Sequence, residues 1–277
     1  MIAHSACTSN CPDTHQIKDS FRYRAIHSRP GFKGRVLAAW DASQGWIAAT
    51  MIGVFTAVVA FLVDVAEITI ADYKSGYCKA NAFRNRETCC PKVSLTRTPE
   101  GCPDWHNWSD SFAGAFTVYV AFALVFGIIA GSVTMTTKAN LPAVKSDGDE
   151  SEQTPLGKAM YMAAGSGIPE IKTILSGFVI PHFLDFKVLV VKAVGSTFAV
   201  ATGMCLGKEG PFVHISTCAG YLVASLFPKY RNNGRKMREM LSVACSSGLS
   251  VAFGAPIGAV LFSYEVGLRI PWVSPCC

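Results

Sequence analysis

The chain has 277 residues, of which 50% are hydrophobic and 16% are charged, and its mean hydropathy is +0.31. This composition argues against one or two soluble domains and indicates a membrane protein. The formal net charge is +6, but the basic residues cluster beside apolar runs. The positive-inside rule of membrane topology explains them there without a nucleic-acid partner.

The first predicted element is a membrane crossing from about Ser43 to Val65, with Trp40 and Trp46 as anchors at the membrane surface. Residues 1–42 are polar and basic, and we interpret them as a cytosolic N-terminal segment. The first crossing would then carry the chain from the cytosol to the lumen.

Residues 66–110 are predicted to form a lumenal loop. The loop contains a cluster of cysteines and an N-glycosylation sequon: Cys78, Cys89, Cys90, Cys102 and Asn107-Trp108-Ser109. Cysteines crowded into a polar loop indicate an oxidising compartment, in which three pairings are possible. The sequon makes Asn107 a candidate glycosylation site. The alternative is that the thiols are free and the sequon is unused.

The second crossing is predicted from Phe112 to Thr136, and the acidic segment Lys145–Pro155 is predicted to be a solvated loop. After this loop, breaks that contain glycine and proline interrupt the apolar sequence at Gly165–Glu170, Leu206–Pro211 and Gly254–Gly258. Glycine lets the backbone turn, and proline suits the first turn of a helix because no N–H is needed there. We therefore predict that each break opens a helix.

The remaining elements follow from these breaks. The predicted helices run from Pro169 to about Gly177, from Phe186 to Gly203, from Pro211 to about Leu226, from Met240 to Ser250 and from the third break to about Glu265, with a basic loop at Lys229–Arg238. All regular structure is expected to be helical. The fold class is therefore an all-α, polytopic membrane protein with a transmembrane domain over residues 43–265.

Helix starts inside a membrane provide an anion site. The first N–H groups of a helix lack partners and carry partial positive charge, so several starts meeting at the midplane would hold an anion. The Glu209 carboxylate lies between two apolar segments, where a charge is expensive and is by default functional. The alternative is structural: Ser166 would cap its helix, and Glu209 would neutralise Lys208.

Three segments together carry a resemblance to a known family. GSGIPE (165–170), GKEGPFVH (207–214) and AFGAPIGAVLFSYE (252–265) resemble, in order and spacing, the CLC family of chloride channels and chloride/proton exchangers. The resemblance covers residues from about Arg22 to Glu265. The segment DWHNWS (104–109) resembles the intracellular branch of that family, which serves endosomes, the Golgi and vacuoles. The fold implied is the family's first inverted repeat, with discontinuous helices.

The resemblance implies a role for individual residues. The chloride-binding group would be Ser166, through its hydroxyl, with Gly167, Ile168 and Gly210. Glu209 would be the gate, because its carboxylate occupies an anion site until protonation moves it aside. Proton and chloride movements would thereby be linked.

The resemblance ends after Glu265. In the family two consecutive glutamates close this helix, and the second relays protons; here Glu265 is followed by Val266. Glu265 is therefore a candidate for the proton path. We expect residues 266–277 to be a tail unlike the family. The family's second half is absent, so we expect a C-terminally truncated chain.

The resemblance also implies partners and location. Chloride and protons would be the transported ions, with membrane lipid and a second copy in a homodimer as partners, and without cofactor, metal, nucleic acid or enzymatic activity. The expected location is a multi-pass position in an endosome, Golgi or vacuole membrane. Three functions stay open: a voltage-gated channel, an exchanger, and a non-transporting product that pairs with full-length subunits.

Two enzymatic patterns are poorly supported. Residues 203–208 resemble a phosphate-binding loop only loosely, since the spacing is one residue short and Glu209 stands where Ser or Thr is required. An intramembrane serine protease would need Ser166 and His214, but no acid supports that pair. His182 and His214 are interpreted as packing or interfacial residues.

Overall fold

The computed structural model describes residues 32–81, 83–90, 104–140 and 159–268. The helices are α1 Phe32–Asp72, α2 Arg86–Cys89, α3 Phe112–Met135, α4 Ile168–Leu175, α5 Phe186–Ala201, α6 Glu209–Ser225, α7 Pro228–Arg231, α8 Gly234–Phe253 and α9 Pro256–Leu268. Helices α1 and α3 are, within these ranges, the two that are long and apolar enough to cross a membrane by length and composition. The predicted loop Lys145–Pro155 lies outside the described residues.

Helix α1 extends beyond the crossing predicted from its apolar residues. It begins at Phe32 and ends at Asp72, so the segment assigned to the cytosol is helical from residue 32. A long-range contact stabilises this early part, because Lys229 Nζ lies 3.0 Å from Asp41 Oδ2. Hydropathy identifies only the apolar part of a helix, which meets lipid. The prediction therefore missed the first and last residues of α1.

The all-α fold class is confirmed, although two short β-ribbons depart from the expectation that all regular structure is helical. The strands β1 Gly76–Cys78 and β2 Trp105–Asn107 form one antiparallel ribbon, and β3 Lys138–Asn140 and β4 Ala159–Tyr161 form another. Each strand has three residues, too few to give an alternating pattern in the sequence. The fold remains mostly helical.

The predicted basic loop at Lys229–Arg238 is also wrong in extent. Helix α7 occupies its start, and α8 begins at Gly234. Asn233 caps α8, since its Oδ1 accepts hydrogen bonds from the N–H groups of Arg235 at 3.1 Å and Lys236 at 3.2 Å. A side-chain cap therefore starts a helix where basic residues alone suggested a loop.

The three predicted helix starts are confirmed. Helix α4 begins at Ile168, α6 at Glu209 and α9 at Pro256, so each helix begins inside one of the predicted breaks. Gly167 precedes α4 with φ +80°, a left-handed conformation that residues with side chains rarely adopt. Helix α9 continues to Leu268, past the predicted boundary at Glu265.

The core surrounds α6. Every residue from Phe212 to Gly220 is buried, as expected for a helix with apolar neighbours on all sides. Gly220 lies against Ala244 of α8, and Gly248 of α8 lies against Ser216, so these small residues let the two helices approach closely. Helix α6 is thereby held with its first residue, Glu209, at a fixed position.

Candidate anion site at two helix starts

The N-terminal ends of α4 and α6 lie against each other. A Cβ atom on Gly210 would be 2.7 Å from Ser166 Cβ and 3.3 Å from Ser166 Cα, so only glycine permits this approach. Each end has backbone N–H groups without partners inside its helix and a partial positive charge. The structure thus brings Ser166 and Gly210 together, as an anion site requires.

Pro169 and Pro211 limit the donors at these ends. The first helical hydrogen bonds run from Ile171 N to Gly167 O and from Phe212 N to Lys208 O, both at 3.0 Å. Because proline has no N–H, the free donors of α6 are those of Glu209 and Gly210. One of the two, Gly210, is the residue that lies against Ser166.

Ser166 is exposed and precedes the first residue of α4 by two positions. Its Oγ accepts a hydrogen bond from Ile168 N at 3.4 Å, which is longer than the usual range for such a bond. The capping interpretation of Ser166 therefore describes a weak contact. The hydroxyl hydrogen remains available to an anion, because Oγ accepts in this contact and does not donate.

The Glu209 side chain folds back over its own backbone. Its carboxylate occupies the space that a Cβ on Gly207 would fill. Glu209 is half-buried, and the neighbouring Lys208 forms its salt bridge with Asp64 of α1, at 2.8 Å. Lys208 is therefore neutralised from α1, which weakens the structural alternative in which Glu209 neutralises it.

Lys192 forms hydrogen bonds to the segment directly before Ser166. The sequence analysis did not identify this residue. It lies on α5 with 3% of its surface exposed. Its Nζ donates hydrogen bonds to the carbonyl oxygens of Ala163 at 2.9 Å and Ala164 at 3.3 Å, and to that of Gly165. The ammonium thus binds three consecutive carbonyl groups directly before Ser166. A single lysine inside an apolar run was the available signal.

His214 is fully buried on α6, which confirms its interpretation as a packing residue. Its Nε2 lies 3.1 Å from the carbonyl oxygen of Phe183. That contact uses the nitrogen a protease base would need, so the Ser166–His214 alternative gains no support. His182 is exposed, with its Nδ1 2.9 Å from Asp185 Oδ2.

The third helix start is not joined to the other two by any contact between described residues. Pro256 is exposed. Helix α9 contacts α8 through Ser263 Oγ, 2.6 Å from Ser242 Oγ, and α4 through Phe262, whose ring centroid lies 5.7 Å from Lys172 Nζ. Glu265 is exposed near the end of α9.

The loop predicted to be lumenal contains a disulfide between Cys78 and Cys89. Cys90 is also disulfide-bonded, and Cys102 lies outside the described residues. Asn107 is exposed at the end of β2 and pairs with Gly76 of β1. The described residues contain no group of three His, Cys, Asp or Glu side chains that could hold a metal ion.

Comparisons with known proteins show which family this chain resembles. Residues 156–274 match the family described as voltage gated chloride channel. The H(+)/Cl(-) exchange transporter 3 of Homo sapiens is 38% identical over 264 residues, which cover 90% of this chain and 30% of the transporter. The H(+)/Cl(-) exchange transporter 5 of Oryctolagus cuniculus is 38% identical over 263 residues, which cover 90% and 29%.

The chain therefore spans about 30% of the length of the curated relatives it matches. The family match continues past Glu265 to residue 274, into the segment predicted to be unlike the family. The domain boundary at residue 265 stays a prediction.

Proposed function

This chain belongs to the voltage gated chloride channel family, and we propose that it contributes half of a chloride pathway to a chloride/proton exchanger. The observation that carries the proposal is the approach of Gly210 to Ser166, which joins the N-terminal ends of α4 and α6. Chloride would bind between them, to the Ser166 hydroxyl and to the backbone at Gly167, Ile168 and Gly210. The helix ends supply the positive potential without a lysine in contact with the ion.

Glu209 is the gate in this proposal. Its carboxylate and a chloride ion compete for the same positive potential at the start of α6, because Glu209 is the first residue of that helix. Protonation removes the negative charge, and the neutral side chain then leaves the anion position to chloride. Each arriving proton thus favours a bound chloride, and each departing proton favours its release, which couples the two ions.

Gly207 gives the gate room to move. The carboxylate lies where a Cβ on Gly207 would be, so the side chain can fold back over the break without a clash. Lys208 does not restrain it, because that ammonium is bonded to Asp64 at 2.8 Å. The gate is consequently free to alternate between the break and the anion position.

Exchange is favoured over passive conduction because the relatives are H(+)/Cl(-) exchange transporters. Glu265 is then a candidate for the cytosolic proton path. Its location on α9, exposed near the helix end, is compatible with a group that takes protons from water. An intracellular membrane of endosome, Golgi or vacuole type, and a homodimer, are part of this proposal.

A second candidate function is a non-transporting product that pairs with full-length subunits. The exposed apolar surface of α9 favours it, because Ile257, Val260, Leu261 and Tyr264 are 79%, 62%, 61% and 64% exposed. Such a surface on an otherwise packed helix pair is suited to a further protein segment. The two candidates differ in whether the chain transports chloride alone.

Flux from proteoliposomes tests the proposal. If two copies together supply both halves of the pathway, the purified chain should release chloride down its gradient and take up protons in return, and Glu209→Ala should keep chloride release while abolishing proton uptake. Glu239→Ala is the matched control, since that carboxylate lies on α8, at 4.0 Å from Arg235, and is 62% exposed. Absence of chloride release by the chain alone, together with co-elution of the chain and a full-length subunit in size-exclusion chromatography, would favour the second candidate.

A further inference from the structure

His214 lies against Gly167, the residue directly before α4. Its imidazole stacks on the ring of Phe183, with centroids 4.2 Å apart and an interplanar angle of 11°. The ring is completely buried. Because Phe183 comes just before α5, His214 joins three parts of the chain: α6, the turn before α5 and, through Gly167, the start of α4.

The hydrogen bond of Nε2 fixes the tautomer. A backbone carbonyl only accepts hydrogen bonds, so the 3.1 Å contact with Phe183 O requires the hydrogen on Nε2. In the neutral imidazole Nδ1 then carries a lone pair. Among the described residues Nδ1 has no hydrogen-bond partner although it is buried. An unpaired buried nitrogen is costly, so the other contacts of the ring must hold His214 in place.

Gly167 packs against the His214 ring. A Cβ on Gly167 would lie 2.7 Å from His214 Nδ1, 2.8 Å from its Cγ and 2.9 Å from its Cβ. Because these three distances are nearly equal, Gly167 lies over the face of the imidazole and not along the in-plane lone pair of Nδ1. The contact also excludes every side chain at residue 167. Glycine adopts φ +80° without strain, and the ring beside Gly167 keeps it in that conformation.

We propose that His214 is a positioning residue for the anion site: its neutral ring, anchored to Phe183 O, fixes Gly167 and so directs Ser166 and the N–H of Ile168 toward the anion. The part of this inference that concerns transport rests on the proposed function. His214 does not carry the coupled proton in this account. A proton on Nδ1 would find no hydrogen-bond acceptor among the described residues, and it would place an unpaired charge on a fully buried ring.

Two variants separate the anchor from simple packing. His214→Gln keeps an N–H donor at the end of the side chain for Phe183 O, whereas His214→Leu fills a similar space without a donor. His182→Asn is the matched control, because His182 is exposed and has φ +61°, which asparagine tolerates. All three are made in the full 277-residue chain.

The first readout needs no transport. Amide hydrogen exchange in residues 163–171 should be about 3- to 10-fold faster in His214→Leu, the effect of one lost hydrogen bond, and close to the unmodified chain in His214→Gln and His182→Asn. The ¹⁵N spectrum of labelled histidine should show the Nε2-protonated tautomer for the signal that His214→Gln removes. Unchanged exchange in His214→Leu, or a signal with the hydrogen on Nδ1, would overturn the positioning role.

The second readout is the ratio of nitrate to chloride efflux. His214→Leu should change this ratio about 3- to 10-fold, and His214→Gln should restore it. A ratio that changes equally in both variants would overturn the role of the Phe183 anchor. If the unmodified chain transports no anion, the proposed function fails, while exchange and tautomer still decide the role of His214.

Discussion

Gly210 and Ser166 are so close that a Cβ on Gly210 would lie 2.7 Å from the Cβ of Ser166. The two residues come from breaks more than 40 positions apart in the chain. Their approach joins the positive ends of α4 and α6. The anion site therefore depends on a backbone contact that no other residue type at position 210 allows.

Gly210→Ala should separate the two helix starts. The added methyl group must displace Ser166, and such overpacking costs about 1–3 kcal/mol of unfolding free energy. Unfolding in detergent measures this loss, and chloride affinity should fall with it. Gly131→Ala is the control, since no atom lies within 4 Å of a Cβ there. A Gly210→Ala protein as stable as the Gly131→Ala protein would contradict the close approach.

Lys192→Met should destabilise the Ser166 segment. The change leaves the carbonyl groups of residues 163–165 without the ammonium that they now share. We expect a loss of about 3 kcal/mol in unfolding free energy and a weaker affinity for chloride. The control is Lys187→Met on the same helix, whose exposed Nζ donates to Thr136 O at 3.0 Å. Equal, small losses in both variants would show that Lys192 does not support the site.

Asp64→Asn should strengthen chloride binding. It removes the charge of the carboxylate that pairs with Lys208, one residue before Glu209. One additional net positive charge should lower the chloride concentration for half-maximal efflux roughly threefold, and added salt should reduce the effect. Asp41→Asn breaks the comparable pair with Lys229 and serves as the control. An increase in that concentration would contradict the charge argument.

The lumenal side of the loop is tested by labelling. After reduction, an impermeant thiol reagent should reach Cys78 and Cys89 only from the lumenal side of sealed vesicles. Asn107 should carry a glycan that Asn107→Gln removes. Labelling of these cysteines from the cytosolic side would invert the proposed topology.

The starts of α4, α6 and α9 could be predicted because glycine and proline act locally. Each break contains the residues that end one segment and open the next, and the structure begins its helices at Ile168, Glu209 and Pro256. The identity of the candidate site could be predicted for the same reason, since Ser166 and Glu209 belong to these breaks.

The supports of the site could not be predicted, because they come from distant segments. Nothing local to Lys192 indicates that it meets the carbonyl groups of residues 163–165, and nothing local to Asp64 indicates that it pairs with Lys208. The three-residue strands were missed since a pattern that short has no recognisable period. Tertiary contacts decide these features.

The central claim is that α4 and α6 form one anion site. Crystals grown in bromide test it most directly, because anomalous scattering locates the ion. The account predicts a bromide within hydrogen-bond distance of Ser166 Oγ and the N–H groups of Glu209 or Gly210, with higher occupancy in Glu209→Ala. Bromide found elsewhere, with none between the two helix starts in either protein, would contradict the account.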